Sequence, residues 1–215
     1  MTPSKSHRRR PHKKKTNYTK LILILSLITI ISVVIVGYIV LGENNQKENP
    51  GTDNKILSNK TTVKLETSEG DIVIELRDDM PITTSNFKNL VNEGIYDNTI
   101  FHRVIPDFMI QGGDPTGTGY GDPSIPNIKD EFSSDPENNK NLRGTIAMAN
   151  TGAADSGSSQ FFINVVYNSH LDNHHPVFGD VVEGMDVVDK ISLVNTNSND
   201  KPIEPVTIIK AYIAD

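Results

Sequence analysis

Residues Leu21 to Leu41 read LILILSLITIISVVIVGYIVL, 21 residues without a charge. As a helix rising about 1.5 Å per residue, the stretch spans roughly 31 Å, matching a bilayer hydrocarbon thickness of about 30 Å. The hydroxyls of Ser26, Thr29 and Ser32 can bond back to helix carbonyls, and Tyr38 lies near the far end, where interfacial aromatics are favoured. A cleaved signal peptide is the competing reading. Its apolar region is typically about 7–15 residues and ends at a small-residue site, whereas Val36–Leu41 offers no A-x-A pattern. An amphipathic core helix does not fit, because no polar stripe interrupts the run.

Charge fixes the orientation. Residues 1–20 carry eight Lys or Arg and no acid, a balance of +8, while residues 21–215 carry 13 basic and 27 acidic side chains, a balance of -14. Positive flanks stay in the cytoplasm. The expected organisation is therefore a basic cytoplasmic tail (1–20), a transmembrane helix (21–41), a flexible linker (42–60) rich in Asn, and a folded domain (61–215) outside the cytoplasm at the cell membrane. The acidic bulk argues against nucleic acid as a partner, since phosphate binding needs clustered positive charge. The absence of Cys excludes disulfides, thiolate zinc sites and cysteine nucleophiles.

The domain is long enough to bury one core. Val63 and Leu65, then Ile72, Ile74 and Leu76, alternate with polar residues across a turn at Ser68-Glu69-Gly70, which predicts a hairpin. Residues Pro81–Glu93 carry Phe87, Leu90 and Val91 at helical spacing, with a cap expected near Thr83–Ser85 and a stop at Gly94. Short apolar runs follow at Thr99–Val104, Phe108–Gln111, Thr145–Ala149, Phe161–Val165, Val177–Val182 and Val206–Ile213, with a second short helix at Gly184–Ser192. The expected fold is mainly β: about eight antiparallel strands in a closed or nearly closed barrel with two helices at its ends.

Four stretches carry a more specific signal: FHRVIPDFMIQGGD (Phe101–Asp114), GTIAMANTG (Gly144–Gly152), GSSQFFIN (Gly157–Asn164) and VFGDVVEGMDVVDKI (Val177–Ile191). In these the chain resembles the cyclophilin family of peptidyl-prolyl cis-trans isomerases over about residues 61–215, and the anchor with the high Asn and Ile usage suggests a membrane-anchored, bacterial-type member. The resemblance implies a closed eight-stranded barrel capped by two helices, its site on the outer face, acting on proline-containing polypeptides without a cofactor or metal.

Isomerisation breaks no bond, so acids, bases, nucleophiles and metals are not required. By resemblance Arg103, Phe108 and Gln111 form the catalytic group. Arg103 supplies the guanidinium and Gln111 orients it and bonds the substrate. Met109, Phe162 and Leu171 line the proline pocket with Phe108. Ala149, Asn150 and Gln160 meet the substrate backbone, Asn150 through main-chain groups, and His175 contributes binding rather than proton transfer. His102 is expected to be structural. His170, His174 and His175 lack carboxylate or Cys partners at ligand spacing, which disfavours metal. Gly112-Gly113 and Gly117–Gly121 lack the Lys-Ser/Thr ending of a phosphate loop and read as turns.

His170 stands where cyclosporin-sensitive members carry Trp, which implies weak binding of that drug. The loop Thr151–Ser158 is one residue longer than the commonest family pattern, so no role is assigned within it. Two rival functions fit the same sequence. One is a binding module that uses the same groove without turnover. The other is an assembly factor at the membrane that uses the acidic surface.

Overall fold

Alternation of apolar and polar residues builds the first hairpin, β1 (Thr62–Thr67) and β2 (Gly70–Leu76), around the two-residue turn Ser68-Glu69. The computed structural model describes residues 60–214. The expected tail, the membrane helix and nearly all of the linker lie outside them. Among the described residues, no helix is long and apolar enough to cross a membrane.

Beyond the hairpin come α1 (Pro81–Asn92), β3 (Thr99–Ile100), β4 (Arg103–Ile105), β5 (Met109–Gly112), β6 (Thr145–Met148), β7 (Phe161–Asn164), β8 (Val177–Glu183), α2 (Met185–Ser192) and β9 (Thr207–Ala214). All strands belong to one antiparallel sheet of nine, in the order β3-β9-β1-β2-β8-β6-β7-β5-β4. This corrects the expectation of eight strands in a closed barrel. The apolar run Thr99–Val104, expected as one strand, breaks in two. Its first half, β3, pairs with β9 at one edge, and its second half, β4, pairs with β5 at the other. The two edges share no ladder, so the sheet curls without closing. Phe101-His102 bridges the seam as covalent chain, held by backbone bonds from Phe101 N–H to Val206 O (3.0 Å) and Val104 N–H to Asp200 O (2.8 Å).

The inside of the curl is solid. Val63, Leu65, Ile72, Ile74, Ile110, Ile146, Phe161, Ile163 and Phe178 point inward and are fully buried. α1 plugs one opening with Phe87, whose ring lies 5.5 Å from Phe161 in an edge-on contact and 5.1 Å from Phe178. Burying such a side chain contributes about 1.5–3 kcal/mol each. Tyr96 joins this cluster and satisfies its hydroxyl by donating to Ser159 O at 3.0 Å. A filled interior leaves no lumen for a substrate.

α1 starts at Pro81, two residues before the expected cap at Thr83–Ser85. Its free N–H groups are satisfied instead by the Glu131 carboxylate, which accepts from Ile82 N (3.0 Å) and Thr83 N (3.0 Å). Thr83 and Thr84 are buried within the helix, and Thr84 donates its hydroxyl to Met80 O at 2.8 Å. The stop at Gly94 forms as expected, with φ +70° and the Ile95 N–H bonded back to Leu90 O at 3.0 Å.

Gly113 follows β5 with φ +81°. A Cβ there would meet Ser159 O at 2.6 Å and the Phe161 ring at 2.8 Å. Backbone on one side and a packed core ring on the other leave nothing to give way. Gly113→Ala is therefore expected to destabilise the domain by about 2–4 kcal/mol, read as a lower urea midpoint. A midpoint matching the wild type would show that this turn relaxes freely.

Candidate functional site

Where β4, β5, β7 and β6 send Val104, Ile110, Ile163 and Ile146 inward, the alternate residues face outward. Register aligns these outward residues in a row. Arg103 lies opposite Gln111, Gln111 opposite Phe162, and Phe162 opposite Ala147, which pairs with Val177 on β8. Met109, Ala147, Phe162 and Val177 form a second apolar cluster, separate from the main core, with Ile105, Phe108, Ala149 and Leu171 packed around it.

A hollow of about 250 Å³ opens on this cluster. Nine of the ten residues expected to form the site line it: Arg103, Phe108, Met109 and Gln111 from β4, β5 and their connection, Ala149 and Asn150 after β6, and Phe162, Leu171 and His175. The tenth, Gln160, faces an adjoining open groove of about 940 Å³ that shares Gln111, Ala149 and Asn150 with the first. Gln111 and Gln160 join the two, with Gln111 Nε2 donating to Gln160 Oε1 at 2.9 Å. Gln160 in turn donates to Gly119 O at 3.1 Å.

Phe108 reaches the rim from a turn in which Pro106 and Asp107 are central, Asp107 having φ +54°, and Phe108 N–H bonds Ile105 O at 3.3 Å. Its ring lies 5.9 Å from the Arg103 guanidinium carbon and stacks on His170 at 5.6 Å. The Asn150 side chain is occupied within its own loop, donating to His174 O (2.9 Å) and accepting from Gly152 N (3.0 Å). That leaves its main chain to meet a partner.

Sequence reading missed several features of the site. Ala147 and Val177 pack with Met109 and Phe162 in the buried cluster on which the hollow opens, and read only as strand. Asp200 lies 3.4 Å from Arg103 Nε, on a polar loop far along the chain. Tyr120, 96% exposed, stands on the rim of the larger groove beside Asp122. Neither has a local signal beyond an unremarkable loop composition. The loop itself is set by Asp114, fully buried, whose carboxylate accepts from the N–H groups of Thr116 (2.8 Å), Thr118 (3.1 Å), Gly119 (2.6 Å) and Gly121 (3.2 Å). Burial would raise this carboxyl, but hydrogen bonds from Thr116, Gly119 and Gly121 outweigh it and hold it below the usual range.

Two histidines differ from the rest. His175 packs edge-on against Phe162 at 5.3 Å, and its Nδ1 lies 3.1 Å from Met148 O. Since a carbonyl can only accept, Nδ1 carries the proton in the neutral ring. Burial pushes this imidazole below its ordinary value, with the Met148 bond acting weakly the other way. His102, in the seam, is buried with neither ring nitrogen bonded to protein, and burial again lowers its value against the opposing charge of Asp114. Among the described residues, no group of three or more His, Cys, Asp or Glu is placed to hold a metal.

Comparison with known proteins places this geometry. The family model described as cyclophilin type peptidyl-prolyl cis-trans isomerase/CLD matches residues 62–213. Peptidyl-prolyl cis-trans isomerase-like 1 of Gibberella zeae is 46% identical over 156 residues, which are 72% of this chain and 96% of that protein. Peptidyl-prolyl cis-trans isomerase ppi1 of Schizosaccharomyces pombe is 51% identical over 152 residues, 69% of this chain and 96% of that one. A crystal structure of a Cryptosporidium parvum cyclophilin type peptidyl-prolyl cis-trans isomerase superposes with a TM-score of 0.68 at 32% identity, covering 73% of this chain and 98% of that one. The same protein crystallised in the presence of the dipeptide Ala-Pro gives 0.67 at 32% identity, covering 72% of this chain and 99% of that one. These relatives are eukaryotic and lend no support to the expectation of a bacterial type.

The two buried imidazoles give the domain a pH dependence with a definite sign. Unfolded, each takes up a proton near its ordinary value of about 6.5. Folded, burial lowers both below that value. As pH falls toward and below about 6.5, the unfolded chain binds protons more readily than the folded chain, so stability is lost toward acid. The urea midpoint should drop between about pH 7.5 and about pH 5.5, and the double variant His102→Asn, His175→Asn should narrow that drop. An undiminished drop in the double variant would assign the effect to other groups.

Proposed function

The chain belongs to the cyclophilin family of peptidyl-prolyl cis-trans isomerases, and from that membership we propose how its outward-facing hollow turns the X-Pro bond. The reading rests on one observation above all. A guanidinium and an amide, Arg103 and Gln111, sit opposite each other on adjacent strands at the edge of an apolar hollow walled by Phe108, Met109 and Phe162.

Amide resonance opposes rotation with a barrier of about 18–20 kcal/mol, while the two X-Pro isomers differ by only about 0.5–1 kcal/mol. Catalysis therefore requires a lower barrier and no change in equilibrium. In the twisted amide, resonance is lost and the proline nitrogen regains its lone pair. A guanidinium N–H directed at that nitrogen binds the twisted state more strongly than the planar one, which is the difference that accelerates. Phe108, Met109, Phe162 and Leu171 hold the proline ring while the preceding carbonyl swings. Exclusion of water from the hollow weakens the charge-separated resonance form as well. Gln111 orients Arg103 and bonds the substrate, and Gln160 extends that network. The main chain of Ala149 and Asn150 pairs with the substrate backbone. His175, tied to Met148 O, serves as a pocket wall and takes no part in proton transfer.

The substrates are proline-containing segments of unfolded or newly exported polypeptides, and Leu21–Leu41 holds the enzyme in the cell membrane with residues 1–20 in the cytoplasm. The uncharged run and the +8 flank support this placement. Cyclosporin binds weakly, because His170, stacked on Phe108, offers neither the indole donor nor its area.

Two experiments test the reading. Arg103→Ala should lower kcat/KM on an X-Pro peptide by about 100-fold or more while leaving the urea midpoint unchanged; full activity in the variant would refute the mechanism. In cells, the full chain should stay with the membrane fraction through an alkaline carbonate wash, and a version lacking residues 1–41 should not. Release of the full chain by the wash would refute the anchor.

A further inference from the structure

The geometry points to Asp200 as the residue that positions the Arg103 guanidinium, an inference that rests on the catalytic role proposed for Arg103. Asp200 Oδ2 lies 3.4 Å from Arg103 Nε, with the two side chains 44% and 43% exposed. It is the only acidic partner of Arg103 within ion-pair distance among the described residues. The carboxylate comes closest to the guanidinium at Nε, and the Phe108 ring lies 5.9 Å from its central carbon. A guanidinium has five donors. With the carboxylate closest to Nε, the terminal Nη groups are left available to a substrate.

The loop carrying Asp200 is built to hold that carboxylate in place. Asp200 sits at φ +60°, a conformation that Asp and Asn tolerate better than most residues. Its N–H bonds Asn197 O at 3.1 Å, and Asn197 N–H bonds Lys201 O at 2.9 Å, closing the turn. The Asn197 side chain accepts from the N–H groups of Asn199 (2.8 Å) and Lys201 (3.2 Å). Lys201 Nζ ties the turn to Gly117 O at 2.9 Å. Finally, the Asp200 carbonyl accepts from Val104 N–H at 2.8 Å, so the loop is fastened to β4 at the residue next to Arg103. The backbone bond and the ion pair thus lie side by side on one strand. A half-exposed ion pair adds little to stability, whereas a small displacement of a group that acts on the reacting bond costs rate steeply.

Two substitutions separate the carboxylate from the backbone. Asp200→Gly keeps φ +60° without strain and removes the acid. Asp200→Asn keeps the loop and an acceptor and removes the charge. In the full chain assayed on an X-Pro peptide, Asp200→Gly should lower kcat/KM about five- to tenfold, in kcat rather than KM, with an unchanged urea midpoint, and Asp200→Asn should recover part of the loss. Raising salt from about 0.05 M to about 1 M should slow the wild type toward the Asp200→Gly rate and leave that variant nearly flat. In an Arg103→Ala background, Asp200→Gly should have no further effect. Wild-type kcat in Asp200→Gly, with Arg103→Ala crippled, overturns the inference alone, and so does an equal loss from Asp200→Gly in both backgrounds. Full activity in Arg103→Ala would instead remove the premise on which both rest.

Discussion

The period-two geometry of a strand is the constraint from which the site follows. β4, β5 and β7 each serve two masters: Val104, Ile110 and Ile163 must enter the core, and the next residue along must therefore face the other way. Arg103, Gln111 and Phe162 are those neighbours, and strand pairing aligns them across the sheet. A slip of one residue would expose three aliphatic side chains and bury a guanidinium, an exchange that costs far more than any register error can return. The precision of the outer face is thus inherited from the packing of the inner one. The Phe87, Phe161 and Phe178 cluster, buried on the other face, holds the strands that carry the hollow.

Much of this was legible in the sequence because it is local. The hairpin alternation, the Phe87-Leu90-Val91 spacing and the four motifs are short-range patterns, and the residues they mark converge on one hollow with Gln160 just beside it. The misreadings share a different character. The apolar run Thr99–Val104 shows no interruption, yet Phe101-His102 spans a seam, because strand ends are decided by partners and not by the strand's own residues. α1 begins earlier than its Thr-Thr-Ser signal suggests, because its cap, Glu131, comes from a distant loop. Asp200 lies in the polar run Asn195–Lys201, where nothing marks this acid as a partner of Arg103 until the chain folds back to β4. Long-range polar contacts of this kind leave no periodicity to read.

The glycine-rich segment after β5 shows how one side chain can settle an ambiguity of pattern. Gly117, Gly119 and Gly121 resemble the loops that cradle anions through a row of backbone N–H groups. Here the Asp114 carboxylate sits inside the loop and takes up the N–H groups of Thr116, Thr118, Gly119 and Gly121 itself. An internal anion has been supplied by the chain, and the loop becomes a rigid bracket that carries Tyr120 and braces Gln160 through Gly119 O.

The pairing of β1 with β9 bears on the order in which the molecule can assemble. Thr62 meets Ala214, 152 positions later, and the β1 edge has no other neighbour on that side. During synthesis the first hairpin emerges with a row of unsatisfied amides along that edge, exposed to any extended polypeptide nearby, until β9 leaves the ribosome. A nascent chain with this topology has a long interval of vulnerability to mispairing, and would benefit from whatever keeps other chains away from β1 in the meantime.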